Sequence, residues 1–173
     1  QFYQPNSFDI LSWTTLYFVV IKYFNTHQTK WLFVAAGVFA ISFLNKYNVV
    51  FLLIGLIPAI LVTDQRKVFG KRNLYLACMM GLFLIAPNLI WQYQNNFPVF
   101  HHLKQLQEIQ LVHVDRIGFL KTQLLFFLGA LPEIFLGLAA LLFYKPFQKY
   151  RAFFWAFVFT LLVFLYFKAK DYY

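Results

Sequence analysis

The feature that most constrains this chain is its succession of long apolar runs, separated by short polar connections. Several runs approach the ~20 residues that a helix needs to cross a bilayer. Only 12% of the residues are charged, against ~25% in an average soluble domain. We therefore predict an all-α, polytopic transmembrane helical bundle in a single domain, residues 1–173. The six predicted spans are 8–25, 31–44, 49–63, 74–91, 119–143 and 152–167.

The basic residues lie between the apolar runs, and they are divided unevenly between the two sets of connections that alternate along the chain. One set, residues 22–30, 64–73 and 145–151, carries nine basic side chains and one acidic side chain, a net charge of +8. The other set has a net charge of +2. The positive-inside rule makes the richer set cytoplasmic. It explains the overall charge of +9 without a nucleic-acid partner, and it places the chemically suggestive residues on the outer side.

A polar turn, Asn45-Lys46-Tyr47-Asn48, interrupts two strongly apolar runs. An unpaired charge is costly to bury, so Lys46 is either a snorkelling interfacial lysine or a cation for a lipid phosphate, to which a compact ammonium is well suited. Asp9 likewise has two possible interpretations. It can complement the helix dipole in the first turn of the first span, or it can hold a sugar, a metal or a cationic group on the outer face.

The longest polar stretch is the predicted outer loop, residues 92–118, in which apolar residues recur every three positions from Phe100 to Val112. This stripe predicts a helix that lies in the membrane interface. His101 and His102 are adjacent and would point ~100° apart on a helix. They cannot easily ligate one metal ion together, and exposed interfacial histidines are the alternative to a metal site.

Glu133 follows Pro132 within the fifth predicted span. An intramembrane carboxylate is functional by default, and the alternative is a neutral acid bonded to the backbone that the proline frees. This residue and the interrupted spans would suit a transporter or flippase for a lipid-linked or anionic substrate; a non-catalytic scaffold is a further alternative. Close helix contacts are predicted at the glycines of the spans, namely Gly37, Gly55, Gly81, Gly129 and Gly137.

Four stretches, taken in order, resemble the bacterial glycosyltransferase family 39, relatives of the dolichyl-phosphate-mannose–protein mannosyltransferases. They are NSFDILSW (6–13), WLFVAAGVFAISFLNKYNVVFLL (31–53), APNLIWQYQNNFPVFHHL (86–103) and KAKDYY (168–173). The resemblance implies a GT-C fold in the bacterial plasma (inner) membrane, with an active site that faces the periplasm or cell exterior. It also implies an inverting transfer of a sugar from a polyprenyl-phosphate-linked donor to a protein, lipid or glycan acceptor.

The same resemblance implies which residues lie near the substrate. These are Asp9, Lys46, Tyr47, His101, His102, Lys168, Lys170, Tyr172 and Tyr173. The family's catalytic base, an acidic residue in the first outer loop, would precede Gln1, so we expect the present fragment alone to be inactive. Some relatives hold a divalent metal at this face, which makes His101 or His102 a possible ligand, and no other cofactor is implied. The expected partners are the polyprenyl-phosphate sugar donor and membrane lipid.

Overall fold

The computed structural model describes residues 6–109 and 116–166, and the regular elements within these ranges are all helices. The α-helices are α1 (Asn6–Thr26), α2 (Lys30–Asn45), α3 (Val49–Leu61), α4 (Arg72–Gln94), α5 (Pro98–Ile109), α6 (Arg116–Phe126), α7 (Leu131–Phe143) and α8 (Arg151–Tyr166). Short 3-10 helices cover Asp64–Gly70, Leu128–Ala130 and Lys145–Tyr150. The predicted all-α membrane bundle is confirmed.

The number of membrane spans is smaller than the six predicted. Among the described helices, two stretches are long and apolar enough to cross a bilayer, Arg72–Gln94 and Lys145–Tyr166. The number rises to four if each of two bent helix pairs is one span. The count is lower because some of the apolar runs form helices that are too short or too polar for a full crossing. With 16 residues, α2 is about 24 Å long, short of the ~30 Å hydrocarbon core, and α1 carries several polar side chains in its first three turns.

The fifth predicted span, 119–143, is not a continuous helix. It is broken after Phe126, and the axis turns by 68° between Arg116–Phe126 and Leu128–Phe143. Glu133 therefore lies in the first turn of α7, with its side chain exposed, and not near the middle of a span. A carboxylate in this position complements the positive end of the helix dipole.

The core is centred on α3, whose Val49, Leu52 and Ala59 have no exposed surface. This helix packs most extensively on α8, while α2 packs against both α1 and α4. The approach of α3 to α8 is closest at Gly55. A Cβ atom there would overlap Thr160 Oγ1 and lie 3.1 Å from the Ala156 carbonyl oxygen.

The glycine contacts are therefore only partly as predicted. A Cβ atom at Gly81 would stand at an ordinary 3.6 Å from Ala36. At Gly37, Gly129 and Gly137 it would meet no atom of the described residues within 4 Å. For these three the prediction was wrong, because a glycine in an apolar helix does not by itself show which helix face has a neighbour.

Hydrogen bonds bring the three connections with the net charge of +8 together at one end of the bundle, which we call the basic end (residues 22–30, 64–73 and 145–151). Gln65 Nε2 donates to the Lys149 carbonyl oxygen at 3.2 Å. Asn25 Oδ1 accepts from Lys149 Nζ at 2.8 Å and from the Tyr150 hydroxyl at 2.6 Å. The NKYN turn lies at the other end of α2 and α3, together with the start of α1 and the end of α4, and we call this the turn end (residues 6–9, 45–48 and 88–99).

Candidate functional site

Lys46 leaves the end of α2 and reaches the first turn of α1. Its backbone N–H still donates to the Ser42 carbonyl at 2.8 Å, but its φ and ψ of −156° and 130° are extended. This extended conformation ends α2 at Lys46 and changes the direction of the chain. Lys46 Nζ lies 3.0 Å from Asn6 Oδ1 and 3.8 Å from Asp9 Oδ2. The structure therefore brings together the two charged residues that were singled out near this face.

Asp9 is more enclosed than Lys46, with side-chain exposures of 16% and 30% respectively. Its Oδ2 atom also accepts a hydrogen bond from Asn48 Nδ2 at 3.4 Å. Its Oδ1 atom is buried and has no hydrogen-bond partner within the described part of the chain. Because Asp9 stands in the first turn of α1, it also complements the helix dipole, and the two interpretations of this residue are compatible.

Tyr47 connects the same turn to α4 through hydrogen bonds of its hydroxyl group. Its hydroxyl donates to Asn88 Oδ1 at 3.0 Å and accepts from Gln92 Nε2 at 2.8 Å. Asn88 and Gln92 are four residues apart and so share one helix face. Gln92 is 7% exposed, and its Oε1 atom lies 3.5 Å from the backbone nitrogen of Val99 at the start of α5. The turn is thereby held between α1 on one side and α4 and α5 on the other.

Asn88 and Gln92 were missed as site residues by the sequence analysis. A signal for them was present, because two amides four residues apart in an apolar helix must find polar partners when they are buried. Their partner could not be read from the sequence, since the Tyr47 hydroxyl comes from a turn more than 40 residues earlier.

An apolar groove begins one helical turn beyond Asp9. It has a volume of about 730 Å³, within the range of ~300–1,000 Å³ that is typical of ligand sites. Its walls come from α1, α6, α7, α8 and the Lys145–Tyr150 segment, and they include Trp13, Tyr17, Phe153, Phe157 and Phe164. Trp13 Nε1 is buried and, like Asp9 Oδ1, has no hydrogen-bond partner among the described residues. A polar donor and a polar acceptor thus remain unpaired where the groove approaches the turn end.

The arrangement can bind a molecule that has an anionic or polyhydroxylated head and an apolar tail. An ammonium group has three N–H donors, of which Asn6 and Asp9 occupy two directions. Lys46 and Asp9 together are electrically neutral. The site is therefore suited to recognise a head group through positioned donors and acceptors more than through a strong net charge.

The remaining predicted site residues are not brought into this site. His101 is exposed on α5, and the side chain of His102 is not described. Within residues 6–109 and 116–166, no three or more His, Cys, Asp and Glu side chains are grouped so that they could hold a metal ion, so the metal prediction gains no support. Lys168, Lys170, Tyr172 and Tyr173 lie outside the described residues.

Comparison with known families gives one clear result. The family model described as dolichyl-phosphate-mannose-protein mannosyltransferase matches residues 2–91, just over half of the 173-residue chain. No curated protein and no solved structure gave a significant match. The matched residues include α1, α2, α3 and most of α4, and with them Asp9, Lys46, Tyr47 and Asn88. The chain therefore belongs to the dolichyl-phosphate-mannose-protein mannosyltransferase family, membrane glycosyltransferases of the mannosyltransferase type.

Proposed function

We propose that this chain carries the donor site of an inverting glycosyltransferase, which takes a sugar from a polyprenyl-phosphate carrier and passes it to a protein, lipid or glycan acceptor. The observation that carries the proposal is the pairing of Lys46 with Asp9, which stands one helical turn before Trp13, the first α1 residue in the wall of the apolar groove. A lipid-linked sugar needs both parts, a polar site for its phosphate and sugar and an apolar site for its chain. Family membership favours this function over a transporter or flippase.

Lys46 is the group that we assign to the carrier's phosphate. It is held by Asn6 and Asp9 but remains partly exposed, so a phosphate can approach its ammonium group. As the glycosidic bond breaks, negative charge grows on the oxygens of the leaving phosphate. A fixed ammonium stabilises that charge more in the transition state than in the ground state, and such a difference accelerates the reaction.

The apolar groove is the segment that we assign to the prenyl chain. From Asp9 to Ile21, the last α1 residue in its wall, the helix rises about 18 Å at 1.5 Å per residue. The groove therefore follows the bundle from the turn end toward the basic end. Its aromatic walls offer a large apolar contact area to a long hydrocarbon chain.

The distribution of charge supports the extracytoplasmic side of the membrane as the side of the reaction. The basic end holds nine basic residues and one acidic residue, and the positive-inside rule favours the cytoplasm for this end. The turn end then faces the extracytoplasmic side, which in a bacterium is the periplasm or the cell exterior. The sugar transfer proposed here takes place on that side, at the depth of the NKYN turn.

The test is the substitution Lys46→Met in the full-length enzyme, which removes the ammonium group and keeps a similar length. One lost electrostatic donor to a developing oxyanion costs about 10²–10³-fold in rate when fully buried. Lys46 is 30% exposed, so we expect a loss of about 10- to 100-fold in kcat/KM for a polyprenyl-phosphate sugar donor. The matched control is Lys22→Met, which removes the same group at the basic end.

The two variants should insert into membranes equally well and elute as monodisperse proteins in detergent. If Lys46→Met transfers sugar with the kinetics of Lys22→Met, Lys46 has no part in the reaction and the proposed phosphate contact is wrong. Accessibility labelling supplies a separate check on the membrane side, because Lys46 and Lys22 should be modified from opposite faces of the bilayer.

A further inference from the structure

A second cavity lies at the basic end, far along the bundle from the Lys46 site. It has a volume of about 440 Å³ and lies between the 3-10 segment that follows α3 and the start of α8. Its charged lining residues are Asp64, Arg66, Lys149 and Arg151. In contrast to the apolar groove, this cavity is predominantly polar.

The positive charges around this cavity are only partly balanced by the protein, because three cations and one carboxylate line it. Asp64 forms no ion pair with Arg66, Lys149 or Arg151 within the described ranges, where the recorded ion pair is that of Lys46 with Asp9 at the other end. Three like charges around one cavity repel one another. Binding of an anion would relieve this repulsion and gain three favourable charge interactions against one unfavourable interaction with Asp64.

Two of the three cations, Lys149 and Arg151, are also held in place. Lys149 Nζ donates to Asn25 Oδ1 at 2.8 Å, and Gln65 Nε2 joins the two cavity walls through the Lys149 carbonyl at 3.2 Å. Arg151 Nη2 donates to the Leu142 carbonyl oxygen at 3.2 Å. Its Nε atom is buried and lacks a hydrogen-bond partner among the residues that the structure describes. A buried N–H without an acceptor is uncommon, and here it belongs to a guanidinium group at the cavity.

We propose that this cavity binds a phosphate group, either in the head group of an anionic membrane lipid or as free inorganic phosphate. Arginine presents a planar set of N–H donors that matches phosphate oxygens, and lysine adds a point charge. The positive-inside rule accounts for basic residues at this end, but solvated basic residues require neither a cavity nor a buried guanidinium Nε. The proposed site is independent of the sugar-transfer site.

The experiment measures binding to the full-length protein in a neutral detergent by isothermal titration calorimetry. The probes are short-chain phosphatidylglycerol, short-chain phosphatidylcholine and inorganic phosphate. We expect Arg66→Gln and Lys149→Gln each to weaken binding by about tenfold, as is typical for the loss of one charged hydrogen-bond partner. The matched control is Lys67→Gln, the neighbour of Arg66, which is exposed and does not line the cavity.

Each possible result of this experiment either supports or overturns the proposed phosphate site. Saturable binding of phosphatidylglycerol without binding of inorganic phosphate supports a lipid site, while binding of both supports a site for the phosphate group itself. Phosphatidylcholine, which has no net charge, should bind about tenfold more weakly than phosphatidylglycerol. The proposal is overturned if neither phosphatidylglycerol nor phosphate binds saturably, if the two lipids bind equally, or if Lys67→Gln weakens binding as much as Arg66→Gln.

Discussion

The contact between α3 and α8 can be tested by Gly55→Ala. The new Cβ atom would overlap Thr160 Oγ1, lie 3.0 Å from the Thr160 backbone nitrogen and lie 3.1 Å from the Ala156 carbonyl oxygen. A rotation of the Thr160 side chain relieves the first contact only. The other two contacts are with backbone atoms, so the helices must move apart. Such overpacking costs about 1–3 kcal/mol.

A matched control separates this packing cost from helix propensity. Alanine is favoured over glycine inside a helix by about 0.5–1 kcal/mol, and this gain applies to Gly55→Ala and Gly37→Ala alike. A Cβ atom at Gly37 meets no described atom within 4 Å, so Gly37→Ala should leave the stability unchanged or raise it. The difference between the two variants is then the overpacking cost, with Gly55→Ala less stable by about 1–3 kcal/mol.

The assay is reversible unfolding in mixed micelles of dodecyl maltoside and sodium dodecyl sulfate, followed by tryptophan fluorescence. Adding Thr160→Ala to Gly55→Ala should restore only part of the stability, because it removes the overlapping hydroxyl and leaves both backbone contacts. Equal unfolding free energies for Gly55→Ala and Gly37→Ala would refute the close approach of α3 and α8.

Two further substitutions probe the network of the turn and the apolar groove. Tyr47→Phe removes the hydroxyl that Asn88 and Gln92 share. It should lower the unfolding free energy by about 1–3 kcal/mol, because it removes the partner of Asn88 Oδ1 and of Gln92 Nε2. Leu161→Trp places a larger side chain in the groove. Displacing two methylene groups of a prenyl chain costs about 1.6 kcal/mol, so KM for a long-chain donor should rise about tenfold with kcat unchanged.

Tyr47→Phe and Leu161→Trp each have a separate control. Tyr75→Phe removes an exposed hydroxyl that donates to the Phe69 carbonyl at 2.6 Å, and it should cost clearly less than Tyr47→Phe in the same unfolding assay. For Leu161→Trp, a donor with a chain too short to reach Leu161 should show the same KM in variant and wild type. An equal rise for both donors would mean that the groove does not hold the chain.

The helical class of this fold could be predicted from sequence because apolar length depends on local composition alone. The number of membrane spans could not be predicted in this way. A run such as 119–143 reads as one helix by hydropathy, yet the chain bends by 68° after Phe126. Pro132, in the first turn of α7, is a local signal for a break, but it does not give the angle between the two helices. The same limit applies to the glycines: a Cβ atom would be too close to the backbone of another helix at Gly55, but would make an ordinary contact at Gly81 and none among the described residues at Gly37.

Some residues of the candidate site could likewise be predicted from the sequence, and others could not. The pairing of Lys46 with Asp9 was within reach, because both are rare charges next to apolar runs and charge-poor surroundings favour pairing. Gln92 and Asn88 were not, because their importance comes from a shared contact with the Tyr47 hydroxyl. Neither the groove nor the basic cavity has a sequence signature, since each is a space left between helices that lie far apart in the chain.

The bond between Asn25 and Tyr150 joins residues 125 positions apart, and this has a consequence for biosynthesis. At a translation rate of ~5–20 residues per second, the ribosome needs about 6 to 25 s to travel from one to the other. Gly55 and Thr160 are 105 positions apart, so α3 remains in the bilayer for about 5 to 21 s without the helix that covers Gly55. Newly made chains should therefore depend on the insertion machinery to cover this surface of α3, and a ribosome that stalls before α8 would leave a product that is degraded because the surface around Gly55 stays uncovered.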